Sequence, residues 1–420
     1  MNESTPPKGE KVFAVIALLI ITGALSGPLI PLMQRHFGLH LPKGHILSMS
    51  LILIIYFFTI VLLSLHRRKA LSVIAQNKFF WLFVLLAVVS SSWSIMPYQS
   101  LTLSLALLLT ALFGLYLAVR YSVAEQLRLL IAALGIAALL SFLLVVIFPL
   151  YGISGPPHEG CWRGIYIHKN VLGRYIFMGC LALVVSIKSG LYCGKTAYFA
   201  LGFMLLIGIF SGSRLAEVAF MAALLLQPLH QLLQKGFRFL RKTVITGILL
   251  VCAGTVFLFI FKFGTLTSLL GRDITLTGRT GIWAEAIKLT VNHSWIGHGF
   301  GGFWPYFDDS SKLLFLGSKI NAINGHNGFL DIWIDLGFLG LIIFLVVLIL
   351  AFNRAIERFR SGSGPENLWP LIYLTFLVVI NLGETEFLCI NNIFWTMTTA
   401  TILSLNSHTC DTSSATASNN

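Results

Sequence analysis

His326-Asn327-Gly328 opens an apolar stretch in which Asn327, Asp331 and Asp335 recur at i, i+4 and i+8. On a helix these three share one face. Lipid cannot solvate a polar face on an apolar helix, so it must turn toward a cavity or toward partner groups. His326 stands at the outer end of that face and has the chemistry of a general base near neutral pH. A lone histidine is more often structural than catalytic, so its case rests on the cations around it. Arg279, in Gly278-Arg279-Thr280-Gly281-Ile282-Trp283, precedes a helical pattern of Trp283, Ala286, Ile287, Thr290 and Val291. A cation is unfavourable at a helix start unless an anion gathers there too; an ordinary exposed loop arginine is the alternative. Arg214 follows Ser211-Gly212-Ser213, with Glu217 three residues on. A guanidinium fork suits bidentate phosphate binding, whereas an Arg214–Glu217 pair along one helix means little.

Two further groups could join this chemistry. Arg163-Gly164-Ile165-Tyr166-Ile167-His168-Lys169-Asn170, with Arg174 one turn further, is either a cationic lip or an interfacial anchor. Glu384 and Glu386, followed by Asn391-Asn392, could balance the arginines or orient the histidine, while the asparagines could simply bond between helices. Aromatic residues from Trp295 to Phe307 form either an interfacial belt, the commoner arrangement, or stacking surfaces for sugar rings. The cysteines (161, 180, 193, 252, 389 and 410) have neither CxxC nor Cys/His spacing, so neither a disulfide framework nor a metal site is indicated.

The elements that must position these residues are membrane helices. Hydrophobic residues make up 56% of the chain and charged residues 11%, with mean hydropathy +0.85. A soluble domain of this length would need far more charge. The net charge of +13 is spread over short loops and is no nucleic-acid footprint. Apolar runs predict an all-α, polytopic protein with twelve spans: 12–33, 46–65, 79–93, 98–119, 128–150, 170–188, 197–212, 214–233, 243–263, 328–352, 368–382 and 386–405. With a cytoplasmic N-terminus, the inner loops collect Lys8 and Lys11, Arg67 to Lys69, Lys78, Arg120, Arg128, Lys188, Lys195, Lys235 to Lys242 and Arg354 to Arg360. The opposite short loops hold only Arg35, Lys43, Arg163, Lys169 and Arg214. The positive-inside rule therefore puts both termini in the cytoplasm and the long loop 264–328 in the periplasm or exterior. Residues 1–405 read as one membrane domain and 406–420 as a disordered tail. No internal repeat is evident, which weakens a transporter with inverted repeats.

The ordered set Gly212-Ser213-Arg214, Gly278-Arg279-x-x-Ile282-Trp283, Gly297-x-Gly299-Phe300-Gly301 and His326-Asn327-x-x-Leu330-x-x-x-x-Asp335-x-Gly337 resembles the O-antigen ligase superfamily. So do the twelve spans and the late periplasmic loop. His168-Lys169-Asn170-x-Leu172-Gly173 and Asn391-Asn392-x-Phe394-Trp395 are most similar to its exopolysaccharide-polymerase branch. The resemblance implies transfer of a glycan from undecaprenyl pyrophosphate to a sugar hydroxyl in the bacterial inner membrane, without metal or other cofactor. The acceptor would be a growing repeat unit, lipid A–core or a protein side chain. Partners would be membrane lipids and other polysaccharide assembly or export proteins. Carried over by motif, Arg214 and Arg279 would bind the pyrophosphate and His326 would activate the acceptor. His168, Lys169, Asn170, Trp283, Asn327, Glu384 and Glu386 would support them. The superfamily usually carries Glu where this chain has Asp335, so Asp335 receives no catalytic role. A polysaccharide or lipid transporter is the alternative from another class. It predicts charges near the bilayer midplane, whereas the polar residues here cluster at one surface.

Overall fold

A computed structural model describes residues 6–37, 44–234, 279–308, 324–361 and 364–406. The expected span 243–263, loop residues 264–278 and 309–323, and the tail after 406 lie outside the described residues. The described residues are helical apart from connections and an isolated bridge between Ile153 and Trp162. In chain order the α-helices are α1 Lys8–Ile21, α2 Leu29–Phe37, α3 Gly44–Leu65, α4 Arg67–Gln76, α5 Lys78–Val89, α6 Pro97–Arg120, α7 Val123–Ile147 and α8 Pro149–Gly152. There follow α9 Lys169–Lys188, α10 Lys195–Phe210, α11 Arg214–Gln234, α12 Arg279–Thr290, α13 Phe303–Asp308, α14 Gly328–Ser361, α15 Trp369–Asn381 and α16 Ile393–Ser404.

Among the described residues, α3 from Ile46, α6, α7, α9 and α14 are each long and apolar enough to cross a bilayer. The pair α4–α5 passes only when taken together and is bent by 92°, the shape of a broken span or of a re-entrant loop. Three more apolar helices, α10, α15 and α16, are shorter. Large apolar side chains such as Leu53, Phe57, Leu65 and Ile147 face outward, a surface that suits lipid and not water. The chain is an all-α, multi-pass membrane protein.

Local chemistry sets the boundaries. Ser122 and Glu125 form a reciprocal capping box that starts α7. Pro97 occupies the first turn of α6, where its missing N–H costs nothing. The run 12–33 breaks after Ile21, and its helix resumes only beyond Pro28. In the run 386–405 the helix begins at Ile393, because residues 382–392 form an ordered polar connection. Gly114 lets α6 meet α16 closely: a Cβ there would lie 2.5 Å from the Thr399 Cβ.

One break matters most. Within α14, Gly337 adopts φ 66° and ψ −168°, leaving backbone groups on both sides without helical partners. The connection 293–299 supplies them. His298 N–H donates to the Ile334 carbonyl (3.0 Å) and Gly299 N–H to that of Asp335 (2.9 Å). In return, Phe338 N–H donates to Ser294 (2.7 Å) and Leu339 N–H to Trp295 (3.1 Å). Irregular backbone at membrane depth is tolerable only with such replacement partners. Bonds and ion pairs across the bundle then define two ends. At one end Arg120 pairs with Glu10 (2.7 Å), Lys11 with Glu125 (3.3 Å), and Arg358 donates to the Ser404 carbonyl (2.6 Å). At the other, the starts of α9, α11, α12 and α14 converge on the connection that follows α15.

Candidate active site

The connection 382–392 is the centre of that second end. Asn381 holds its first turn, its side-chain oxygen accepting Glu386 N–H (2.8 Å) and Phe387 N–H (3.0 Å). Glu384, presented by this turn, gathers groups from three helices. Arg174 of α9 contacts its Oε2 at 2.8 Å, Arg279 at the start of α12 contacts its Oε1 at 3.2 Å, and His326 Nδ1, just before α14, lies 3.4 Å from Oε2. Asn170 donates to Oε1 as well, at 3.1 Å. Burial alone would raise the pKa of this carboxyl. The His326 hydrogen bond and the charges of Arg174 and Arg279 outweigh burial and hold it down to about 2.

Glu386 behaves oppositely although it shares Arg174, at 2.9 Å. It is more deeply buried and has the like charge of Glu384 beside it. Desolvation, with that repulsion, exceeds the pull of Arg174 and pushes its pKa up to about 7. Asn392, which caps α16, also donates to Glu386 Oε2 at 3.1 Å. Burial thus moves Glu386 toward its neutral form while Glu384 stays ionised, so the two arginine charges are not fully compensated. The balance is positive, as an anionic ligand requires.

His326 is held by its own turn. Its backbone sits at φ 49°, in the left-handed region, and its N–H donates to Asn324 Oδ1 (3.0 Å). Behind it, Asp331 accepts Gly325 N–H (3.0 Å), Trp304 Nε1–H (3.0 Å) and the Thr385 hydroxyl. Asn327 caps α14 through Phe329 N–H (3.0 Å) and Leu330 N–H (3.1 Å) and reaches the Leu382 carbonyl (3.4 Å). Trp283 donates to the Gly325 carbonyl, which ties α12 to the same turn.

The structure thus brings together His326, Arg279, Asn170, Asn327, Trp283, Glu384 and Glu386 from the sequence expectations. Lys169 points elsewhere, donating to the Gly212 carbonyl at 2.8 Å and pinning the α10–α11 turn to α9. His168 caps α9 by accepting Asn170 N–H (3.1 Å) and packs on His158; burial first, then that neighbour, lower its pKa. Arg214 pairs with Glu217 at 3.1 Å, and its side chain is 90% exposed. It stands beside the cluster all the same: the next residue, Leu215, and Arg279 both flank Gly383. Sequence reasoning gave Arg174 no role beyond the lip. Its only signal was a cation one turn inside an apolar helix, four residues after Asn170, a costly place without a partner.

Comparison with known proteins agrees with the resemblance. The family model described as O-antigen ligase matches residues 199–345. The exopolysaccharide production protein ExoQ of Rhizobium meliloti (strain 1021) is 27% identical over 336 residues, which cover 76% of this chain and 74% of the relative. Both point to a ligase or polymerase acting on polysaccharide.

Proposed function

We propose that this member of the O-antigen ligase superfamily transfers a glycan from a polyprenyl pyrophosphate to a sugar hydroxyl at the periplasmic membrane surface and so polymerises the repeat units of a surface polysaccharide, with ligation to lipid A–core or a protein as the alternative. The observation that carries this reading is the contact of His326 with Glu384 on a carboxylate that also holds Arg174 and Arg279. Glu384 on Nδ1 fixes the imidazole tautomer and leaves Nε2 as the base, the logic by which a carboxylate orients a catalytic histidine elsewhere. Arg279, pre-set by Glu384 and the Gly383 carbonyl, and the exposed guanidinium of Arg214, held only by Glu217 on its own helix, would take the pyrophosphate.

In the reaction, the acceptor oxygen attacks the anomeric carbon and its proton passes to His326. The bond from that carbon to the phosphate oxygen breaks, and its electron pair leaves on the pyrophosphate. Attack opposite the leaving group inverts the anomeric centre. Arginine charges fixed where negative charge grows stabilise the transition state without reorganising. The bundle end that holds this cluster is opposite the one carrying Lys11, Arg120 and Arg358, so the positive-inside rule favours a periplasmic site and cytoplasmic termini.

The test is His326→Ala in the native cell at normal protein level, with lipid-linked and surface glycans sized by mass spectrometry. Single repeat units accumulating on the lipid while long chains vanish identify a polymerase. Long chains stranded on the lipid identify a ligase. Unchanged pools overturn the proposal.

A further inference from the structure

Beside the His326 cluster lies a partly open cavity of about 290 Å³, near the lower end of small-ligand pockets (~300–1,000 Å³). Its walls include Phe300, Trp304, Asp331, Asp335, Thr385 and Asn392. Two of these adjoin the carboxylate pair: Thr385 lies between Glu384 and Glu386 in the chain, and Asn392 donates to Glu386. The two aspartates differ. Asp331 is saturated by Gly325, Trp304 and Thr385, so it braces the His326 turn. Asp335 is 6% exposed; its Oδ2 accepts Gly301 N–H at 3.0 Å, and its Oδ1 has no hydrogen-bond partner among the described residues. A buried carboxyl oxygen left unpaired is costly, and a ligand hydroxyl would satisfy it.

We infer that this cavity is a subsite for one neutral, hydroxyl-bearing sugar ring, read by Asp335 against an aromatic wall of Phe300 and Trp304. This rests on the glycan-transfer reading and deepens it. The aromatic faces cover the apolar C–H side of a ring, and the carboxyl binds a hydroxyl on its rim. No cation stands among the described residues that line the cavity, so a uronate carboxylate would enter without a partner and at a desolvation cost, and the subsite selects neutral sugars over uronates. The glycan has two rings at the reacting junction, the donor's first and the acceptor's last, and either has this chemistry.

Full-length protein in lipid nanodiscs, free of sugar-based detergent, is titrated with D-glucose, D-galactose and D-glucuronate. Binding is read by saturation-transfer NMR. At least one neutral sugar binds and glucuronate does not. Asp335→Asn keeps an acceptor for Gly301 N–H but puts an amide where the carboxyl meets the ligand hydroxyl, and weakens neutral-sugar binding about tenfold. The wild-type comparison of neutral with acidic sugars needs no variant, so misfolding of Asp335→Asn leaves it decisive. Equal binding of glucuronate, no binding of either neutral sugar, or unchanged binding by folded Asp335→Asn overturns the inference. In turnover assays a raised KM for lipid-linked donor places the donor ring in the cavity, and a raised KM for acceptor places the acceptor ring there; neither rising also overturns it. His326→Ala still binds sugar, so a failure of the transfer reading is visible separately.

Discussion

Removing the charge of Glu384 tests the site most directly. In Glu384→Gln the amide can still meet His326 and the arginines, but the carboxylate that holds all three is gone. Its pKa drop from 4.5 to about 2 spans roughly 2.5 units, or about 3 kcal/mol at ~1.36 kcal/mol per unit. The sign follows from the depressed value. That stabilisation is present above pH 4.5 and is lost as pH falls toward about 2. Wild type should therefore lose thermal stability across this window, and Glu384→Gln, already less stable at neutral pH, should lose much less there. Catalysis should suffer more than stability. With the histidine no longer oriented and Arg279 released, transfer should drop by ~100-fold or more, the range for a positioned base. The assay is release of polyprenyl pyrophosphate from a synthetic lipid-linked glycan by protein in nanodiscs. Glu384→Asp, which restores charge one methylene short, should recover part of the rate. A Glu384→Gln rate within threefold of wild type, in folded protein, would refute the His326–Glu384 reasoning.

Glu386→Gln should be mild, within about threefold, because burial already shifts that group toward its neutral form and its ion-pair partner is Arg174 and not His326; the same release assay checks it. Arg279→Lys should remain severely impaired, since an ammonium cannot reproduce the fork that meets both Gly383 and Glu384. Arg279→Ala should cost about 2.7–4 kcal/mol of transition-state stabilisation, measured as kcat/KM, if Arg279 acts on the leaving group. Gly337→Ala should abolish accumulation of folded protein, because its Cβ would fall 2.2 Å from the Trp295 carbonyl carbon at a backbone angle that L-residues avoid. Detergent-extracted yield on size exclusion reads that outcome directly.

Much of this was legible in the residues themselves. The membrane class follows from hydropathy, and most described helices start within a few residues of the apolar runs that predict them. His326, Arg279 and Glu384 fall together because each is a polar residue at a helix end on the same side of the bundle. Other features were not legible. Arg174 and Lys169 are both basic and five residues apart, yet one enters the carboxylate cluster and the other closes a neighbouring turn; only the rotation of α9 separates them. Glu384 and Glu386 look alike in sequence, and their opposite pKa shifts arise from unequal burial and from which cations each meets. The break at Gly337 is invisible to hydropathy, which registers apolar content and not backbone continuity.

That break also decides what can move. Four backbone bonds stitch 294–299 to the two sides of Gly337, so lifting this connection would strand those groups in a medium without water. The outer segment of α14, Gly328–Leu336, is thereby mechanically part of the loop that covers it. Rearrangement during turnover must carry the two as one body or take place outside them. The amide protons of Phe338 and Leu339 are natural reporters: their exchange with solvent deuterium should open only when the connection undocks, and should stay slow through the catalytic cycle.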